Sequence, residues 1–231
     1  MESEIRPGRF QVLPVVIKNL VIINGLVWLA QITIGKDLIS IEDLFALHHF
    51  TSEHYHFWQF ITYMFLHSST SFFHILFNMF ALWMFGSTLE NLWGPARFLA
   101  FYLVCGVGAG ITHVLAQTYD ISQYNALFQL GEIGAEELYI LSNIPTLGAS
   151  GAVMGIFAAF AYTFPNSQMI ILPIPFPIKA KWALLGLAVL DLIGGVSTQS
   201  TGIAHFAHLG GAAVGIVVVM IWNRKNRRHF Y

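Results

Sequence analysis

Six stretches of predominantly apolar residues recur along the chain, at about 16–35, 72–92, 98–118, 146–164, 182–199 and 202–222. Each is close to the roughly 20 residues that a helix needs to cross the hydrocarbon core of a bilayer. Only helices and closed barrels satisfy their backbone polar groups there, and stretches of this length select the helix. The 231 residues are 56% hydrophobic and only 10% charged, against roughly 25% charged in a soluble domain. The sequence therefore predicts an all-α polytopic membrane protein, a bundle of six transmembrane helices in one domain covering residues 1–231. The single cysteine, Cys105, excludes an intramolecular disulfide and a cysteine-rich metal site.

Basic residues gather on the cytoplasmic side of short loops, and this rule sets the orientation. With the N-terminus inside, the inner segments hold Arg6, Arg9, Lys18, Arg97, Lys179, Lys181, Arg224, Lys225, Arg227 and Arg228, and only Lys36 falls outside. The outer segments carry Asp37, Glu42, Asp43, Glu53, Asp120, Glu132, Glu136 and Glu137. Both termini are expected in the cytoplasm, with the first span retained rather than cleaved as a signal peptide. A bacterial cytoplasmic membrane is the expected location. Lipid is the expected surrounding, and no nucleic-acid partner is expected.

Two outer segments are long. The first, "GKDLISIEDLFALHHFTSEHYHFWQFITYMFLHSST", mixes aromatic residues with histidines, as suits pieces lying in the membrane interface. The second, at about 116–145, contains "IGAEELYIL" and suits a short helix over the outer face.

Polar groups inside spans are costly and face the bundle interior or a wet cavity. The candidates are His74 and Asn78 in the second span, His113 in the third, Ser150 in the fourth, Asp191 in the fifth, and His205 with His208 in the sixth. The second, fourth and sixth spans run from outside to inside. At 1.5 Å per residue, His74, Asn78, Ser150 and His208 then lie roughly 3–9 Å below the outer surface. A serine hydroxyl becomes a nucleophile when a base accepts its proton, and neutral imidazole is the usual base near pH 7. His208 can be that base. A tetrahedral intermediate also needs donors aimed at its oxyanion, and His74 and Asn78, four residues apart on one helical face, can supply them with the Ser150 N–H. Gly151 and Gly155 on the fourth span, with Gly211 and Gly215 on the sixth, form small-xxx-small faces that permit close helix approach.

These residues resemble the rhomboid family of intramembrane serine proteases. The resemblance rests on "HILFNMFALWMFG" with its H-x-x-x-N, on "GASG", and on "AHLGG", in that order; "WQFITYMFLH" and "LENLWG" resemble flanking signatures. It implies a Ser–His dyad without an acidic third member, Ser150 matching the nucleophile and His208 the base. It matches His74 and Asn78 to the oxyanion-stabilising pair. It also implies cleavage of transmembrane-segment protein substrates near their outer ends, with no cofactor or metal, and movement of the fifth span to admit substrate.

Each reading has a blander competitor. Ser150 alone would read as a packing residue, and the matched depth of His74, Asn78 and His208 reverses that. His205 reads as a support or cap rather than the base. Asp191 could orient an imidazole, but hydration or pairing within the bundle is the preferred reading, and it is left out of the site. His113 reads as structural, and Glu90 as a packing or loop-fixing residue within reach of Arg97. The histidines at 48, 49, 54 and 56 raise a metal alternative without the H-E-x-x-H pattern of a zinc protease. The competing function class is a non-catalytic membrane binding protein or transporter that uses the same polar groups to hold helices together or line a path.

Overall fold

The computed structural model describes residues 10–34, 40–170, 176–196 and 204–227. Arg6, Arg9, Lys36, Asp37 and Arg228 of the charge pattern, and residues 35, 197–199 and 202–203 of the expected spans, lie outside the described residues.

The first helix, α1 (Val15–Thr33), starts after Pro14. Its first turn is held by a carboxylate that comes from far along the sequence. Glu90 is buried, and its two oxygens accept the N–H groups of Val16 and Ile17, each at 2.9 Å. Helix N-terminal N–H groups lack intrahelical acceptors and favour negative charge, so Glu90 fixes α1 against the helix that carries it. That explains a buried carboxylate for which the sequence offered Arg97 as partner.

After α1 the chain makes short pieces, α2 (Ile41–Phe45) and α3 (Gln59–Thr62), the latter continuing as a 3-10 turn over Tyr63–Phe65. Leu47, Tyr63, Met64 and Leu66 are all buried. One side of the segment expected to lie in the interface thus packs into the body of the protein, while Phe45, Phe50, Phe57, Trp58 and Ile61 on it are exposed. Its internal frame is the carboxamide of buried Gln59, which donates to the carbonyls of Asp43 and His54 and accepts from the N–H groups of His48 and His56.

Helix α4 (Phe72–Trp93) ends at Gly94, whose φ of 80° turns the chain directly into α5 (Pro95–Gln129). Proline suits a first helical position because its missing N–H would have had no partner. At 35 residues α5 runs well past the 98–118 expected, into the second outer segment, where α6 (Ala135–Ser142) is the short helix expected there. Helix α7 (Ser150–Thr163) follows, then a two-stranded antiparallel ribbon of β1 (Gln168–Met169) and β2 (Ile178–Lys179), then α8 (Ala180–Val196) and α9 (His205–Arg227).

Among the described residues, four helices are long and apolar enough to cross a membrane: Val15–Thr33, Phe72–Trp93, Pro95–Gln129 and His205–Arg224. The expected fourth span is shorter as a helix, because residues 146–149 are outside it and α7 begins only at Ser150, leaving 14 residues. Helix α8 has 17 described residues.

Helix α7 is the centre of the bundle. Ala152, Val153, Ile156, Phe157, Ala158 and Ala159 are all buried, as in a helix enclosed on every side by α4, α5, α8 and α9. The outward faces are apolar, with Leu26 and Leu29 on α1, Phe73 and Phe77 on α4, and Leu190 and Ile193 on α8 all exposed. Asn24, Gln31, Glu90, Gln117 and Asp191 are buried. Polar residues inside and apolar residues outside are the arrangement for a lipid solvent.

Candidate active site

Ser150 owes its place to the segment before it. Thr146 exchanges two backbone hydrogen bonds of 2.8 Å with Leu47, and the Gly148 N–H donates to the Tyr63 carbonyl at 2.9 Å. Gly148 has φ of +129°, a conformation that side-chain-bearing residues rarely adopt. The chain pinned in this way enters α7 with Ser150 as its first residue. Val153 N–H reaches the Ala149 carbonyl at 2.9 Å, so the N–H groups of Ser150, Gly151 and Ala152 belong to the first turn that has no intrahelical acceptor.

The second wall is α4. His74 and Asn78 lie one turn apart, and Asn78, buried, donates one N–H to the His74 carbonyl at 2.9 Å. Its amide nitrogen has a second hydrogen to offer. The His74 ring is oriented by the backbone: Ser68 N–H donates to Nδ1 at 3.1 Å. A neutral imidazole that accepts at Nδ1 carries its proton at Nε2, so Nε2 is a donor. It lies 3.0 Å from the point a Cβ on residue 148 would occupy, and Ser150 Oγ lies 3.7 Å from the same point. The absent side chain of Gly148 thus lets the His74 ring come in close, so that the serine oxygen and an N–H donor both border the same point beside Gly148.

Helix α1 secures the loop that orients His74. The Gln31 carboxamide donates to the His67 carbonyl at 2.9 Å and accepts its N–H at 3.0 Å, while Trp28 Nε1–H donates to the Ser68 carbonyl at 3.1 Å. The His67 ring stands edge-on to His74 with centroids 5.1 Å apart. Burial, reinforced by the neighbouring His74, lowers the His67 pKa to about 3. Folded His67 stays neutral while the unfolded chain takes up a proton below about 6.5, so stability present above pH 6.5 is lost as pH falls towards 3. Thermal unfolding in detergent, followed from pH 7 to pH 4, is expected to show a falling midpoint. His67→Phe should flatten that slope, and an unchanged slope would exclude His67 as its source.

The third wall is α9. His208 is half-buried, and its Nδ1–H donates to Asp191 Oδ1 at 3.0 Å; His205 Nδ1–H donates to the same oxygen at 2.8 Å. The glycines set the distance between α7 and α9. A Cβ on Gly155 would stand 2.9 Å from the Gly211 carbonyl oxygen, one on Gly215 would stand 2.5 Å from that of Gly155, and one on Gly211 would overlap the Gly151 carbonyl. The two small-xxx-small faces expected from the sequence do meet, backbone against backbone.

The structure places Ser150, His74, Asn78 and His208 on the N-terminal halves of α7, α4 and α9. Asp191, outside the site expected from the sequence, touches His208. The signal for it was available, since Asp191 and Glu90 are the two carboxylates inside the apolar spans, and such residues find partners in the bundle. His113 Nε2 makes a close hydrogen bond with Thr146 Oγ1, a bracing role beside the segment that leads to Ser150. The histidines of the first outer segment have separate partners: His48 bonds the Ala46 carbonyl, His49 bonds Thr51 and Thr118, and His56 stacks on Trp58. Among the described residues, no three His, Cys, Asp or Glu side chains come together as a metal-ion set.

Residues 54–225 match the model of the Rhomboid domain, a stretch that includes α4 to α8, most of α9 and the whole site. The chain belongs to the rhomboid family. It is 29% identical over 209 residues to the rhomboid protease AarA of Providencia stuartii, covering 87% of this chain and 69% of that protein. It is 33% identical over 166 residues to the human presenilin-associated rhomboid-like protein of mitochondria, covering 69% of this chain and 38% of that one. To Rhomboid protein 1 of Saccharomyces cerevisiae mitochondria it is 28% identical over 150 residues, again covering 38% of the relative. The chain thus spans well under half the length of these mitochondrial relatives.

Proposed function

We propose that this rhomboid is an intramembrane serine endopeptidase that cuts transmembrane-segment proteins near the outer membrane surface. The observation that carries the reading is the approach of Ser150 Oγ and the Nε2–H of His74 to one point beside Gly148, with no side chain between them. In this mechanism His208 accepts the proton of Ser150 as Oγ attacks the scissile carbonyl carbon. The oxyanion forms beside Gly148, where it meets His74 Nε2–H, an Asn78 amide N–H and the first-turn N–H of α7. His208 then returns its proton to the departing amine, leaving an acyl-enzyme on Ser150 that water hydrolyses by the same steps. The relative named as a rhomboid protease supports this reading. The site described needs no cofactor.

The same reading makes residues 1–231 one membrane domain of six spans, with α7 and α8 as the short fourth and fifth and both termini cytoplasmic. A short α7 suits the proposal. Fourteen residues span about 21 Å, so Ser150 sits below the outer surface and water can reach it from outside. A non-catalytic binder would use Asn78 and His208 as packing groups and would have no use for a serine hydroxyl and an N–H donor brought to one point beside Gly148.

The test is cleavage of a reconstituted transmembrane substrate by base variants. His208→Ala is expected to stop both cleavage and fluorophosphonate labelling of Ser150. His205→Ala is expected to keep measurable rates of both. The reverse pattern would move the base one helical turn, and full activity in both variants would remove the histidine base altogether.

A further inference from the structure

The mechanism above uses His208 but not the carboxylate beside it. Asp191 is buried on α8, a helix whose other buried residues, Ala180 and Ala183, lie at its far end. Every neighbouring position that is large and apolar on this half of α8, including Leu190, Leu192 and Ile193, faces outward. Asp191 alone turns into the bundle, where Oδ1 receives Nδ1–H of both His208 and His205. Gly194, one turn further along, is part of the same arrangement: a Cβ there would stand 2.5 Å from the His205 ring. The outer end of α8 is therefore shaped to admit one imidazole and bond two.

We propose that Asp191 is a positioning residue for the base, and the proposal rests on the protease reading given above. An ionised carboxylate only accepts hydrogen bonds, so it holds the proton of neutral His208 on Nδ1 and leaves the lone pair on Nε2 for the Ser150 proton. When His208 becomes imidazolium during acyl transfer, the same carboxylate faces the new positive charge. The site then contains two histidines set in opposite senses by different partners. The Ser68 backbone N–H makes His74 a donor at Nε2, and the Asp191 carboxylate makes His208 an acceptor at Nε2. This departs from the unassisted dyad that the family resemblance implies.

The first arm of the test uses the unmodified protein. With ¹⁵N-labelled histidine in detergent at pH 8, His208 should show protonated Nδ1 and unprotonated Nε2, the signal being assigned by its loss in His208→Gln. The opposite tautomer would overturn the proposal. The second arm compares Asp191→Asn, Asp191→Glu and Ser150→Ala. Asp191→Asn should lower kcat and the fluorophosphonate labelling rate by about 10² to 10⁴-fold, the range for a displaced general base, with KM and the unfolding midpoint little changed. Asp191→Glu should restore part of the rate. Full labelling of Asp191→Asn alongside a silent Ser150→Ala would overturn the role of Asp191 and leave the protease reading standing. An active Ser150→Ala would instead overturn the reading itself.

Discussion

Ser150→Ala is expected to abolish cleavage of a transmembrane substrate while leaving the protein folded. Removing the nucleophile of a serine protease costs on the order of 10⁶ in kcat, which places the variant at background. The fold should survive because Ser150 does no capping work. The N-cap position of α7 is Ala149, and the helix has no side-chain cap hydrogen bond to lose. Its removal is thus a change of a hydroxyl at a half-buried position, within about 1 kcal/mol of the parent. A fluorophosphonate probe, which reacts with an activated serine, should label the parent and not the variant. The assay needs the parent and variant side by side in the same proteoliposomes, with folding compared by unfolding midpoint. Alanine protein that still cleaves within about tenfold of the parent would remove Ser150 from the chemistry.

Much of this was legible in the sequence, and the parts that were not share a cause. The apolar spans located α1, α4 and α9 closely, because a bilayer leaves little freedom in the length of a crossing helix. Span depth brought Ser150, His74, Asn78 and His208 to one level, and spacing alone announced the glycine faces of α7 and α9. What hydropathy could not tell was where an apolar run stops being helical. Residues 146–149 are as apolar as α7, yet they stay outside the helix because Leu47 and Tyr63 offer Thr146 and Gly148 backbone partners from another segment. Long-range pairing of this kind leaves no local periodicity. The same holds for Glu90, whose partners are backbone N–H groups more than 70 residues away. Asp191 was visible as a costly residue in a span, but its partner depended on the rotation of α8, which composition leaves free. Rotation is set by packing, and here the outward apolar residues of α8 and the small Gly194 leave one inward direction for the carboxylate.

Gly211→Ala is expected to have the second largest effect, and it acts through the backbone rather than the chemistry. The added Cβ would fall on the carbonyl of Gly151, the residue next to Ser150, and that atom belongs to a buried helix rather than to a yielding side chain. Neither helix can give way cheaply, since α7 is enclosed and α9 meets it again through Gly155 and Gly215. Overpacking of this kind costs roughly 1–3 kcal/mol, occasionally more, and relief requires α9 to move away from α7. His208 lies three residues before Gly211 on α9, so in the proposed mechanism that movement withdraws the imidazole from Ser150. Activity should therefore fall further than stability, because a displacement of about 1 Å at reacting groups costs about 10²-fold in rate. Gly186→Ala is the matching control, for a Cβ there meets nothing within 4 Å; helix propensity alone predicts a gain of roughly 0.5–1 kcal/mol. Unfolding midpoints and labelling rates of the two variants separate the cases. A Gly211→Ala protein that labels as fast as Gly186→Ala would show that close approach of α7 and α9 does not deliver the base.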